Sequence, residues 1–246
     1  GGDVVVQALG HLIGAKQRVA LGYDDFLDEL AVLAGGDAID ASRPPTLPGD
    51  ALVIAADSGV HQAEALGLRV DHVVGDLDSA DADAIERAVA AGATVERHPE
   101  AKDFTDLELA LEHAAREGVR QVLVLGGAGG RLDHLLGNVL LLASPRFATM
   151  RVEAVVADAH VTVVHGGAPA ARLRGEPGSL VTLLPVGGAA RGVVTDGLAY
   201  PLRSEDLRPG TTRGLSNVMV GRAASVALDA GTRRVVQPDG GTGGTS

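Results

Sequence analysis

Between residues 31 and 156 the chain repeatedly lays down a short aliphatic run and then breaks it with glycine or aspartate. The runs are Ala31–Ala34, Ala51–Ala56, His72–Val74, Thr94–Arg97, Gln121–Leu125 and Arg151–Val156. Most are apolar throughout and do not alternate with polar residues. Such strands need cover on both faces, which a parallel sheet between helical layers supplies. Helical spacing fills several intervals. It predicts helices over Asp81–Ala91, Thr105–Glu117 and Arg131–Leu142, the second with Leu107, Ala110, Leu111 and Ala114 at one spacing. The expected fold class is α/β.

After about residue 158 the pattern changes. Short β-rich runs recur between Gly/Pro turns: His160–His165, Ala170–Leu173, Leu180–Leu184, Ala190–Thr195, Ala224–Leu228 and Arg233–Gln237. Their spacing predicts a small all-β domain. The domain organisation read from these shifts is an N-terminal extension of unassigned role at 1–30, an α/β domain at 31–157, a β domain at 158–238 and a flexible Gly/Thr/Ser tail at 239–246. Within the extension, Asp24–Leu30 reads as a short acidic helix.

Composition narrows the chemistry. Aromatic residues make up only 2% and there is no Trp, so Val, Leu, Ala and Ile must build the core. With no cysteine, disulfides, thiolate metal sites and cysteine nucleophiles are excluded. The net charge of −11 argues against a nucleic-acid surface. No apolar stretch is long enough for a membrane span, and Gly1–Gly10 does not read as a secretory signal, so a cytoplasmic location is expected. Of the basic residues 19 are Arg and only Lys16 and Lys102 are Lys.

In open parallel sheets, ligands bind outside the carboxyl ends of the strands. The polar clusters of this chain fall there. Asp57 follows the second run, and Asp76 and Asp78 the third. Lys102, Asp103 and Asp106 follow the fourth, and the Gly126–Gly130 loop, Arg131 and Asp133 the fifth. Asp76 and Asp78 are two apart, and in an extended segment would point to one side. Paired carboxylates suit Mg²⁺, although an Asp cap at Asp78 or a cap at Ser79 is the plainer alternative. Thr105 and Glu108 fit a capping box, and Asp106 suits the positive end of a helix. Capping leaves Lys102 and Asp103 unaccounted for, and a Lys in an Arg-rich chain fits a point charge on phosphate. The glycines through Gly129 and Gly130 can bring backbone N–H groups to phosphate, or can be a tight connection and no more. Arg131, His134 and Asn138 share a helix face, with Asp133 beside them. No Ser-His-Asp order, HExxH pattern or EF-hand loop is present.

Taken in order, these segments resemble the successive signatures of thiamine pyrophosphokinases. They are Asp57-Ser58-Gly59, Gly75-Asp76-Leu77-Asp78-Ser79, Lys102-Asp103-Phe104-Thr105-Asp106, and Gly126 through His134 ending at Asn138. Gly197–Leu202 and Gly214-Leu215-Ser216-Asn217 add to the match, which covers about residues 31–237. The resemblance implies a Rossmann-like catalytic domain, a C-terminal β-sandwich, and a homodimer binding thiamine at the subunit interface. It implies transfer of a pyrophosphoryl group from ATP to thiamine, giving thiamine diphosphate and AMP. Asp76, Asp78 and Asp103 would hold Mg²⁺ and the phosphates, with Asp106 a further candidate and Asp57 near the reacting groups. Lys102 and Arg131 would meet phosphate charge. Thr105, Asp106, Gly129, Asp133, His134 and Asn138 complete the expected nucleotide side, and Ser216 and Asn217 the thiamine side. Some family members stack thiamine on a Trp; this chain has Tyr200 in that region. Alternatives are a pyrophosphokinase acting on another alcohol, such as a pterin, and a non-catalytic thiamine- or nucleotide-binding module. A dehydrogenase lacks its GxGxxG after the first strand.

Overall fold

The structure is a computed structural model that describes residues 29–36, 47, 51–99, 104–129, 131–156 and 159–238. The chain forms two compact units, residues 1–138 and 139–246.

In the first unit, β1 (Glu29–Leu33), β2 (Leu52–Ala56), β3 (His72–Gly75), β4 (Thr94–Arg97) and β5 (Gln121–Leu125) form a parallel sheet in the order β4-β3-β2-β1-β5. The expectation of a mixed α/β fold holds. Aliphatic side chains explain the arrangement: Val53, Ile54 and Ala55, Val73 and Val74, and Val122, Leu123 and Val124 are buried on consecutive positions, so both sheet faces are covered. From β1 the chain steps outward to β4, then returns across the sheet to β5. This reversal beside β1 is where such sheets open a ligand crevice.

Among the described residues four α-helices accompany the strands: α1 (Gly59–Leu66), α2 (Ala82–Ala90), α3 (Asp106–Arg116) and α4 (Leu132–Leu142). The sequence analysis did not predict α1. Two observations bear on the extension: β1 begins at Glu29, so the expected acidic helix does not include Glu29 and Leu30. Residues 24–28 lie outside the described residues. The Thr105 cap appears as expected, its hydroxyl accepting from the Glu108 N–H at 3.3 Å. At the other end of α3, His113 and Arg116 bond Glu96 of β4 at 2.9 and 3.0 Å. Those contacts tie the far end of α3 to the sheet and so fix where its N-terminus points.

Among the described residues, the strand pairings within the second unit are antiparallel. Its strands are β6 (Arg151–Val156), β7 (Ala159–His165), β8 (Ala171–Arg174), β9 (Leu180–Asp196), β10 (Arg203–Leu207), β11 (Asn217–Val218), β12 (Ala223–Ala227) and β13 (Ala230–Pro238). Two expected strands, Leu180–Leu184 and Ala190–Thr195, are one 17-residue strand, β9. It pairs with β10, β11, β12 and β13, and around it Leu173, Val181, Leu183, Val193, Leu202, Val226 and Val235 form an aliphatic core. Between β6 and β7, Glu153 is buried with Arg151 at 2.6 Å and the His160 ring 3.0 Å away. Among the described residues no helix is long and apolar enough to cross a membrane.

Candidate active site

Loops leave the carboxyl ends of β1, β2, β3 and β5, and two kinds of surface result. One is acidic. Carboxylate oxygens of Asp57, Asp76 and Asp78 all lie within 4.8 Å of one another. Asp57 directly follows β2 at φ 46°, a left-handed conformation that Asp tolerates better than most residues. Its backbone N–H bonds the Val74 carbonyl at 2.9 Å, which pins the turn to the neighbouring strand. The expectation of an extended Asp76–Asp78 segment is corrected. Leu77 between them has φ 64°, and the two carboxylates converge through this left-handed turn. The Asp78 N–H donates to Asp76 Oδ1 at 3.3 Å, while the Leu77 side chain is buried beneath them.

The electrostatics of the cluster are those of a cation site. Burial pushes the Asp57 carboxyl above its ordinary range. A bond from the Ser58 N–H pulls the other way, and the charges of Asp106, Asp78 and Asp76 add to the upward push. Asp57 Oδ1 is buried without a hydrogen-bond partner among the described residues. Crowded carboxylates with an orphaned oxygen fit a hard divalent cation, which takes oxygen ligands and suits Mg²⁺ chemistry. Asp106 belongs to the same neighbourhood: a Cβ at Gly75 would stand 2.8 Å from its Oδ1 and 3.3 Å from the Asp57 Cβ. Lys102, Asp103 and Gly130 lie outside the described residues.

The other surface is built of backbone. Residues 34–36 after β1 pack against residues 126–128 after β5, with Ala34 N–H bonded to Leu125 O and Gly127 N–H to Gly35 O, both at 2.9 Å. The approach requires glycine twice. A Cβ at Gly36 (φ 122°) would overlap the Ala128 carbonyl oxygen, and one at Gly126 (φ 93°) would stand 2.6 Å from the Ala34 carbonyl oxygen. Asn138 of α4 donates to the Gly127 carbonyl at 3.2 Å, and the buried Gln62 of α1 donates to the Gly36 carbonyl at 3.2 Å. Sequence reading missed Gln62 because it missed α1. The signal available was the spacing of Val60, Ala63 and Leu66 after the Ser58-Gly59 turn.

Arg131 and Asp133 precede and open α4, both exposed, and pair through two hydrogen bonds of 3.2 and 2.6 Å. The hydrogen bond from Arg131 holds the Asp133 carboxyl down at about 2. His134 is exposed beside them, and Gly129 precedes them at φ 127°.

In the second unit, Ser216 is exposed at φ 52° with its N–H bonded to the Thr182 hydroxyl at 3.2 Å. Asn217 is buried. Its Oδ1 accepts from the N–H groups of Tyr200 and Val218, and its Nδ2 donates to the Tyr200 carbonyl at 2.7 Å. Asn217 therefore clamps the backbone of Tyr200 and leaves that aromatic side chain exposed.

Known proteins resemble this chain in both units. Residues 46–154 match the family model for the thiamin pyrophosphokinase catalytic domain, and residues 172–232 match the thiamin pyrophosphokinase vitamin B1 binding domain. The thiamine pyrophosphokinase of Bacillus subtilis is 25% identical over 169 residues, covering 69% of this chain and 78% of its own. A crystal structure of thiamine pyrophosphokinase from Bacillus subtilis superposes with a TM-score of 0.73 at 23% identity, over 86% of this chain and 99% of that one. That of thiamin pyrophosphokinase from Geobacillus thermodenitrificans gives 0.71 at 25% identity, over 87% and 99%. With both family models matched in order along one chain, this protein belongs to the thiamine pyrophosphokinase family.

Proposed function

We propose that this protein transfers the pyrophosphoryl group of ATP to the hydroxyl of thiamine, giving thiamine diphosphate and AMP. The observation that carries the reading is the convergence of Asp57, Asp76 and Asp78 beside a glycine-built strand edge. Neighbouring strand ends step about 4.8 Å, so the aspartates after β2 and β3 and the glycine loop after β5 lie on the order of 10–15 Å apart. An extended nucleoside triphosphate can bridge that interval.

Asp57, Asp76 and Asp78, with Asp103, would hold Mg²⁺, whose charge would offset that of the phosphates. Gly129 and the N-terminal turn of α4 offer backbone N–H groups to phosphate, and Thr105 and Asp106 the first turn of α3. Lys102 and Arg131 supply positive charge, with Asp133 and His134 holding and flanking Arg131. In the transfer, the thiamine hydroxyl oxygen bonds to the β-phosphorus, the bond from that phosphorus to the α,β-bridging oxygen breaks, and AMP leaves with the electron pair. One of the clustered aspartates accepts the hydroxyl proton. The chain's contribution is positioning and charge stabilisation more than covalent chemistry.

On the thiamine side, Ser216 and the clamped, exposed Tyr200 are the groups we assign to the ring system, with Asn217 acting through Tyr200. We read residues 31–157 as a Rossmann-like catalytic domain and 158–238 as a thiamine-binding β-sandwich. The family resemblance supports a cytoplasmic homodimer with thiamine at the subunit interface.

The test is AMP release from ATP with Mg²⁺, comparing thiamine with a pterin alcohol as acceptor. Thiamine-dependent AMP formation is expected. Binding of thiamine without AMP, or preference for the pterin alcohol, would overturn the reading. Asp78→Ala and Asp103→Ala should each abolish turnover with the fold intact. Near-normal activity in both would remove the metal assignment.

A further inference from the structure

The two side-chain amides at the glycine edge belong to a set of three hydrogen bonds joined through the loop backbones. Gln62 Nε2 donates to the Gly36 carbonyl at 3.2 Å. The adjacent Gly35 carbonyl accepts from the Gly127 N–H at 2.9 Å. The Gly127 carbonyl in turn accepts from Asn138 Nδ2 at 3.2 Å. The set runs from α1 through the loop after β1 and the loop after β5 to α4. Both polar groups of the Gly127 peptide backbone are thereby committed within the protein.

This arrangement answers a physical need. Loops rich in glycine lose more conformational entropy on ordering than any others, and left to themselves they would be mobile. The Cβ-free approach of Gly36 to Ala128 and of Gly126 to Ala34 permits the close packing, but contact alone does not select one backbone conformation. Hydrogen bonds from side chains held on helices do. Gln62 is 6% exposed on α1, and Asn138 is half-buried on α4. Each reaches its loop from a different side.

We infer that Gln62 and Asn138 are positioning residues that lock the loops after β1 and β5 into one rigid edge, and that nucleotide affinity depends on this lock although neither amide need touch the nucleotide. The inference rests on the nucleotide reading of the glycine edge given above. For Asn138 it replaces the expected direct contact with an action through Gly127. An unlocked loop must be ordered at the moment of binding, so its cost appears as weaker nucleotide affinity. It does not appear as a slower chemical step.

The test uses the full chain with Gln62→Met and Asn138→Leu, each close in size to the original and lacking the donor. Calorimetric titration with a non-hydrolysable ATP analogue and Mg²⁺ should show affinity weakened about 5- to 30-fold in each variant, the equivalent of one lost buried hydrogen bond. The ATP KM should rise in parallel while the thiamine KM and kcat stay near wild type. Amide exchange should accelerate in peptides covering residues 126–129 and not in those covering β3. Because both amides hold one edge, the double variant should fall short of the product of the single effects. Unchanged exchange at 126–129, or affinity within twofold of wild type in both variants, would overturn the proposal. So would a loss of kcat with the ATP KM unchanged. If Gln62→Met does not fold, Asn138→Leu alone decides the matter. A wild-type chain that binds no nucleotide would refute the functional reading instead, while the exchange data would still report whether the lock exists.

Discussion

Leu77 offers a stability experiment whose sign runs against habit. It stands between Asp76 and Asp78 at φ 64° with its side chain 8% exposed. Replacing it with Ala or with Gly deletes the same buried side chain, and each variant should lose about 2–5 kcal/mol on that account. The variants then part. Alanine keeps a Cβ in the left-handed region, at a cost of about 1–2 kcal/mol, and glycine does not. Glycine carries an unfolded-chain entropy penalty of about 0.5–1 kcal/mol in return. The balance leaves Leu77→Gly more stable than Leu77→Ala by as much as about 1.5 kcal/mol, which in a chain of this size is a midpoint higher by as much as about 6 °C. The measurement is thermal unfolding in chelator, so that bound metal adds nothing to either midpoint, following the transition of the first unit. Affinity for Mg²⁺ should show the reverse order, because glycine no longer holds Asp76 and Asp78 in one conformation. An alanine variant that melts at or above the glycine variant would show that the left-handed turn is not what brings the carboxylates together.

Two other outcomes are open to direct measurement. Gly36→Ala places a methyl on the Ala128 carbonyl at φ 122°, so the edge must part. We expect about 1–3 kcal/mol of lost stability and a large rise in the ATP KM, and an unperturbed ATP KM would contradict the packing described. Glu153 supplies a pH signature. Burial alone would push its carboxyl up, but His160 and then Arg151 outweigh it and hold it below its ordinary value of 4.5. With the folded value depressed, the stabilisation is fully present above pH 4.5 and is lost as pH falls through the folded value. Wild type should therefore melt above Glu153→Gln at pH 7, with the gap closing as pH drops below 4.5. A gap that stayed constant from pH 7 to pH 3 would be inconsistent with an ionised Glu153.

Much of the strand pattern could be read from the chain because its signal is local. Thr94–Arg97, Gln121–Leu125 and Arg151–Val156 match β4, β5 and β6 residue for residue. The helix cap at Thr105 was equally legible, since capping depends on four consecutive residues. What escaped detection depends on packing. The helix α1 begins on a glycine immediately after a two-residue turn and spans eight residues, too few for periodicity to stand out. In β9, Gly187 and Gly188 interrupt the apolar pattern that would have marked one strand, yet the chain continues through them with a shifted register against β13. The polar run Arg203–Leu207 gave no strand signal because its pairing with β9 supplies the order. At the site, the strand-end rule pointed to Asp57, Asp76 and Asp78, whose carboxylates the fold brings together after β2 and β3. It could not reveal that Asp57 joins the other two, which follows from β2 and β3 being neighbours. Nor could it reveal the bend at Leu77, which a hydrophobic residue would ordinarily resist.

The place of β13 in the second unit bears on when the protein can be finished. This strand lies between β7 and β9, with Val235 opposite both Thr162 and Leu183. Until residues 230–238 have left the ribosome, the flanks of β7 and β9 that it fills are open edges able to pair with another chain. The parallel sheet of the first unit has all five strands once residue 125 has emerged. Synthesis therefore passes through a long interval in which the parallel sheet can be complete while the strands of the second unit have neither a closed core nor protected edges. Yield in the cell should accordingly be sensitive to translation speed over the codons for residues 126–238 and to chaperones that cover unpaired strands.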